Sequence, residues 1–132
     1  MAPQLREIPP FRATAGKLSG DVGLVAVSGE LDYYTAPQLE AAIRSASDGQ
    51  GSRLIVDLSA ISFIDSTALG VILKHVARLA ARGGNLIVVS NDPRIARLLR
   101  ITGLQGRIAT RTTLQEALDE LASVEERGAA TA

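Results

Sequence analysis

The stretch FIDSTALGVI, Phe63 to Ile72, sets one carboxylate, Asp65, and two hydroxyls, Ser66 and Thr67, inside an otherwise apolar run. It falls where period-two patterning gives way to helical spacing, so the three polar side chains stand at a strand-to-helix junction. Three kinds of chemistry suit those residue types. Asp65 or Ser66 can cap a helix. A hydroxyl can act as a nucleophile if a base activates it. A hydroxyl at a helix start can also be modified, because free amides and the helix dipole favour an added anion there.

The nucleophile reading fails on geometry. The only histidine, His75, lies further along the same helix. At ~1.5 Å and ~100° per residue it is roughly 13 Å from Ser66 and on the opposite side. A Ser66–His75 dyad within one chain is excluded, and His75 reads as an ordinary helix-surface or partner-facing residue. A single histidine also rules out a histidine-rich metal site. Asp57, near the end of a central strand, invites comparison with a phosphoacceptor aspartate. That chemistry wants an acidic pair after the first strand and a lysine near the end of the last, whereas VAVSGELD separates its acids and RIATRTT offers only arginine. No GxxxxGK[ST] or GxGxxG loop is present to cradle a nucleotide. Capping and modification remain, and they are compatible.

The elements that hold this junction are legible in the pattern. FRATAG and VGLVAVSG read as two strands joined by the short GKLSGD, which favours antiparallel pairing. After GELDYY, Thr35 with Gln38 makes a capping box, Pro37 falls in the first turn, and Leu39, Ala42 and Ile43 form a stripe, which predicts a helix over 36–47 ending near Gly49. RLIVDLS is a continuous apolar run, as expected of a strand buried on both faces. From Ser66 onward, Leu69, Ile72, Leu73, Val76 and Ala80 recur at helical spacing until RGGN stops the helix. NLIVVS predicts another buried strand. Asp92 with Pro93 then opens a short helix with Ile95, Leu98 and Leu99 inward, Arg94, Arg97 and Arg100 outward, and Gly103 at its close. GRIAT is a short strand, and Thr112 or Thr113, with Gln115 or Glu116, caps a last helix carrying Leu114, Ala117, Leu118 and Leu121.

This alternation argues for an α/β domain with a mainly parallel sheet and one antiparallel hairpin at its start. Sites in such sheets gather at the carboxyl ends of strands, and Asp32, Asp57 and Asp65 fall at or near such ends. A length of 132 residues fits one domain. Residues 1–10, with Pro3, Pro9 and Pro10, read as a lead-in, 11–124 as the domain, and 125–132 as a flexible tail. Fourteen basic residues balance fourteen acidic ones and aromatics are only 3%. The chain therefore lacks both the phosphate-attracting field and the stacking platforms that nucleic-acid binding uses. There is no cysteine, no signal-peptide h-region and no apolar run of membrane-spanning length. The expectation is a soluble, cytoplasmic protein.

VSGELDYYTAPQLEAAI, then RLIVDLSAISFIDSTALGVILKHVARLAARGGNLIVVS, then RIARLLRITGL, resemble the STAS domain of bacterial anti-sigma factor antagonists, from about Phe11 to Leu121. The resemblance implies a mixed sheet of four to five strands flanked by four helices, no catalytic activity, no cofactor, and a role in partner switching during transcription regulation. In such proteins the unphosphorylated antagonist binds an anti-sigma factor, often a serine kinase of the GHKL type, and frees a sigma factor. Phosphorylation breaks that complex and a serine phosphatase restores it. The family pattern D-S-[ST]-[GA]-[LA]-G maps the acceptor to Ser66, with Thr67 as second choice. It places Asp32, Asp65, Ser66 and Thr67 on the partner surface, to which the residue pattern adds Leu69 and Ile72. Ala68 replaces the glycine of many relatives, a small change that favours helix. Two rivals stand beside this reading. One is a STAS module that only scaffolds a lipid-transport or stress-sensing complex. The other is a small enzyme holding a metal on Asp32, Asp57 and Asp65.

Overall fold

The computed structural model describes residues 10–19, 22–47 and 53–131, with side-chain surroundings up to Ala122. Its elements run in the order β1 (Arg12–Ser19), β2 (Val22–Leu31), α1 (Ala36–Ala46), β3 (Arg53–Ile64), α2 (Ser66–Ala80), β4 (Asn85–Val89), α3 (Pro93–Ile101), β5 (Ala109–Arg111) and α4 (Leu114–Thr131). The strands form one sheet in the order β1-β2-β3-β4-β5, with β1 antiparallel to β2 and every other pairing parallel. This is the mixed sheet with four helices that the sequence pattern predicts.

The apolar run of β3 explains the layering. Leu54, Val56 and Leu58 project into a core shared with Leu39 and Ile43 of α1, Leu69, Ile72 and Leu79 of α2, and Ile95 and Leu99 of α3. Ile55 projects the other way, into a smaller core with Val22, Ile87, Val89 and, from α4, Ala117 and Leu121. Successive strand residues face opposite sides, so a strand covered on both reads as a near-continuous apolar run, interrupted here only by the half-buried Asp57.

Several local expectations are met. Asp92 accepts from the Arg94 amide and caps α3, with Pro93 in its first turn. Thr113 Oγ1 accepts from the Glu116 amide, and Glu116 Oε1 accepts from the Thr112 amide, at the start of α4. Others differ. β3 does not stop at Ser59 but runs to Ile64, because β2 continues to pair with it through Leu31↔Ile64 across two register shifts. Thr35 caps nothing with its side chain: its backbone is already helical (φ −96, ψ −11) and its hydroxyl turns back to donate to the Glu30 carbonyl. The α4 backbone stays helical to Thr131, through most of the stretch expected to be a tail, in keeping with its alanine content. The expected lead-in up to Pro9, and the expected stop at Gly49, lie outside the described residues.

Gly29 (φ +89) lets Pro10 and Phe11 pass close over β2, where a Cβ would sit 2.9 Å from the Phe11 Cα. Gly23 allows a closer approach still. A Cβ there would be 2.3 Å from the Ala46 carbonyl oxygen at the end of α1. Gly70 in α2 has nothing within 4 Å of that position. Two alanine substitutions should therefore have opposite signs. Gly23→Ala should cost about 1–3 kcal/mol through overpacking against backbone, and Gly70→Ala should gain roughly 0.5–1 kcal/mol from helix propensity. Urea denaturation of the two variants checks both.

Candidate functional site

The last paired residues of β2 and β3 are Leu31 and Ile64. Asp32 and Asp65 are the next residues on each strand, so parallel pairing alone brings them side by side at the carboxyl edge of the sheet. A bond from the Asp65 amide to the Leu31 carbonyl (3.2 Å) continues the pairing one step. Beyond it the two chains diverge into α1 and α2.

Each aspartate organises the turn that follows it. Asp32 Oδ1 accepts the amides of Tyr34 (2.9 Å) and Thr35 (3.0 Å), the local turn that short acidic side chains favour. It supplies the ordering that the expected Thr35–Gln38 box does not. Asp65 is the N-cap of α2: its Oδ1 accepts the Ala68 amide at 3.1 Å. Its Oδ2 accepts the Tyr33 amide, also at 3.1 Å, and so ties the β2–α1 turn to the start of α2.

Ser66 and Thr67 follow as the first two residues of α2 and both are exposed. Among the described residues neither hydroxyl has a hydrogen-bond partner. Asp32, Asp65, Ser66 and Thr67 thus form one patch. Leu69 and Ile72 do not belong to it, contrary to expectation, for they are 2% and 0% exposed. Their spacing marks the stripe by which α2 packs on the sheet, and a stripe used for the core is not available to a partner. The outward side of α2 is instead Ser66, Thr67, Gly70 and Lys74, with Val71 half-buried.

Two residues that sequence reasoning passed over complete the patch. Tyr33 and Tyr34 are 68% and 83% exposed, with rings set edge to face at 5.5 Å. With Ala36, Pro37, Glu40, Thr67, Val71 and Lys74 they line an open groove of about 560 Å³. The available signal was compositional: the only tyrosines of an aromatic-poor chain stand together just after a strand. Largely exposed paired aromatics are costly to leave in water and are favoured anchors in interfaces.

His75 is the other correction. It is not on the surface: it is 0% exposed, on the side of α2 that faces α1. Its Nε2 lies 2.6 Å from Glu40 Oε2, while Lys74 Nζ and Arg44 Nε both reach Glu40 Oε1 at 2.9 Å. Burial raises the Glu40 pKa, but the hydrogen bonds from Lys74, His75 and Arg44 outweigh it and bring it down to about 2. Burial lowers the His75 pKa, and the Glu40 carboxylate only partly offsets that.

The three aspartates do not make a metal centre. Asp57 lies within β3, paired with Ala26 and Val89 rather than at the strand's end, and accepts from Ser59. Among the described residues no group of three or more His, Cys, Asp or Glu side chains could hold a metal ion. Of the outward arginines, Arg94 clasps Asp92 and donates to the Ser62 carbonyl, bracing α3 against the end of β3. No helix among the described residues is long and apolar enough to cross a membrane.

The division between patch and core is measurable. Asp65→Ala should cost about 0.5–2 kcal/mol by loss of the cap and speed hydrogen exchange at the Tyr33 amide. Leu69→Ala should cost about 2–5 kcal/mol as a core truncation, whereas Ser66→Ala should stay within about 0.5 kcal/mol of the parent. Thermal denaturation and amide exchange test these values.

The geometry agrees with the chain's relatives. A family model, the STAS domain, matches residues 16–117. The anti-sigma-B factor antagonist of Listeria monocytogenes is 38% identical over 78 residues, which cover 59% of this chain and 68% of that protein. The protein of the same name from Staphylococcus aureus is 36% identical over 81 residues, 61% of this chain and 75% of the other. The crystal structure of an anti-sigma factor antagonist from Mycobacterium paratuberculosis superposes with a TM-score of 0.77 at 32% identity, covering 86% of this chain and 95% of that one. With the sheet order, the paired aspartates and the exposed hydroxyls in the matched region, this chain belongs to the STAS domain family.

Proposed function

We propose that the chain is an anti-sigma factor antagonist, a regulatory binding protein of the cytoplasm whose hold on an anti-sigma factor is set by phosphorylation of Ser66. The observation that carries this reading is the state of the α2 N-terminus. Both Asp65 oxygens are engaged by amides, while the adjacent Ser66 and Thr67 hydroxyls are exposed and have no hydrogen-bond partner among the described residues.

A kinase that transfers the γ-phosphoryl of ATP to Ser66 Oγ, with loss of the hydroxyl proton and release of ADP, adds nearly two negative charges at that point. The start of a helix accommodates them, so the fold survives. A partner seated over the patch instead meets a hydrated dianion beside the Asp65 carboxylate, and must desolvate it without a counter-charge. The modification therefore acts on binding rather than on stability. The enzyme in this reading is the partner itself, an anti-sigma factor that is a serine kinase of the GHKL type. A serine phosphatase reverses the step by hydrolysing the ester. Thr67 is the second candidate acceptor.

The partner surface comprises Asp32, Asp65, Ser66 and Thr67 with the Tyr33–Tyr34 groove. Aromatic anchors next to a charge-sensitive centre suit an interface that must be firm yet reversible. Neither nucleic acid nor a membrane is needed. A hydroxyl retained at both acceptor positions favours this switch over a purely scaffolding STAS module.

The decisive assay incubates the chain with a candidate anti-sigma kinase and ATP, maps the modified residue by mass spectrometry, and measures anti-sigma binding. Ser66→Ala should escape phosphorylation and still bind, and Ser66→Asp should bind more weakly. Tyr34→Ala should lose roughly tenfold or more in affinity. Undiminished phosphorylation of Ser66→Ala would move the acceptor elsewhere, and equal binding by all three Ser66 forms would refute the switch.

A further inference from the structure

A chain of polar side chains crosses the otherwise apolar contact between α1 and α2. It runs from Glu40 to His75 (2.6 Å), from His75 Nδ1 to Arg78 Nε (2.9 Å), from Arg78 to Ser47 Oγ (2.6 Å), and from the Ser47 hydroxyl to the Ile43 carbonyl (2.6 Å). An arginine can only donate. His75 Nδ1 must therefore be an acceptor, the imidazole neutral, and its one proton on Nε2, where it is donated to Glu40. The structure selects a single tautomer and charge state for a fully buried ring.

Adding a proton changes only one side of this arrangement. The Nε2–H bond to the Glu40 carboxylate survives and gains charge. At Nδ1, a new N–H would point at the Arg78 N–H, donor against donor and cation against cation. One of them must leave. Arg78 is the mobile partner, and when it turns away its bond to Ser47, at the C-terminal end of α1, is lost as well. Burial of the ring is what chiefly opposes protonation; the Glu40 carboxylate of α1 favours it, and the smaller repulsions of Arg78 on α2 and Arg44 on α1 oppose it. Lys74 bonds Glu40 from α2, and Arg82 acts on Arg78 from the next turn. From β1, Lys17 donates to the Ala46 carbonyl beside Ser47. Glu40 and Lys74 also line the groove beneath Tyr33 and Tyr34.

We propose that His75 is a proton-operated latch between α1 and α2. The neutral Nε2–H form closes it through Arg78 and Ser47, and protonation opens it and reshapes the groove that adjoins Ser66. The sign follows from the depressed affinity of the folded state for this proton. The latch is fully closed above the ordinary histidine pKa of about 6.5 and opens as pH falls through the lower value of the folded chain. The latch stands without any reading of the patch. Its consequence for anti-sigma binding rests on the function proposed above.

The composition provides clean reporters, because the chain has one histidine, two tyrosines and no tryptophan. Nitrogen-15 NMR of the intact chain should show His75 protonated at Nε2 alone at pH 8, with a titration midpoint below 6.5. Tyrosine emission comes only from Tyr33 and Tyr34, and the window of interest is pH 7.5 to 5. The emission should change in that window in step with the imidazole signal. Emission should be flat in His75→Gln. In Arg78→Met, which removes the opposing donor, the midpoint should rise and the emission step should vanish; this variant also carries the test if His75→Gln does not fold. An Nδ1–H tautomer at pH 8, emission that ignores the His75 titration, or an emission step that persists unchanged in both variants would overturn the latch. Absence of anti-sigma binding at every pH would instead refute the function and leave the latch untouched.

Discussion

The Asp65 carboxylate is the joint on which the site depends. One oxygen terminates the amide array at the start of α2 and the other holds the Tyr33 amide, in a segment 32 residues away in sequence. Neither bond asks anything of the partner's side chain, since both donors are backbone. What they require is that the two strand ends meet, and that is set by the parallel pairing of Leu31 with Ile64. The sheet register, the helix cap and the position of the exposed tyrosines are thus a single constraint. A change that loosens one of them loosens the others.

That joint also explains why the patch is confined to the first turn of α2. The helix devotes Ala68, Leu69, Ile72 and Leu79 to the core and His75 to the contact with α1, which leaves a narrow outer strip. An interface of useful strength needs apolar anchors that such a strip lacks. The β2–α1 turn provides them in Tyr33 and Tyr34, brought beside Thr67 by the bond to Asp65. In the proposed interface the tyrosines carry the apolar area and Ser66 the charge sensitivity.

Most of the fold was legible because its signals are local or one-dimensional. The doubly buried run of β3, the Asp92–Pro93 start of α3 and the Thr113–Glu116 pair each report on their own neighbourhood. The errors share a different origin, in partners distant in sequence. β3 outruns its apolar run because β2 keeps pairing with it. Thr35 fails to cap because Asp32 and the Glu30 carbonyl compete for its hydroxyl and its turn. His75 is buried because Glu40, on another helix, can receive its proton, and no periodicity within α2 announces that. Leu69 and Ile72 were misplaced for a simpler reason: apolar residues next to a functional motif were assigned to the partner when their spacing already assigned them to the sheet. The placement of the two hydroxyls at the start of α2 was readable because an aspartate and a hydroxyl pair stand where strand patterning gives way to helical spacing, and Asp65 alone meets the need for a cap.

In the proposed reading α2 carries two charge-sensitive points, Ser66 at its first residue and His75 within its body, and each adjoins a residue that lines the groove under the tyrosines: Ser66 precedes Thr67, and His75 bonds Glu40. Coupling between binding at the groove and protonation at His75 must be reciprocal. If the open and closed latch differ in affinity for a partner by some factor, the partner shifts the proton affinity of His75 by that same factor. A partner that prefers the closed form would hold the imidazole neutral to lower pH, and a phosphate that expels the partner would remove that protection. Phosphorylation at one end of the helix would then change the acid sensitivity at the other without any direct contact between the two groups. The element this needs is the α1–α2 packing, in which the buried ring accepts one donor at Nδ1 when neutral and none when protonated.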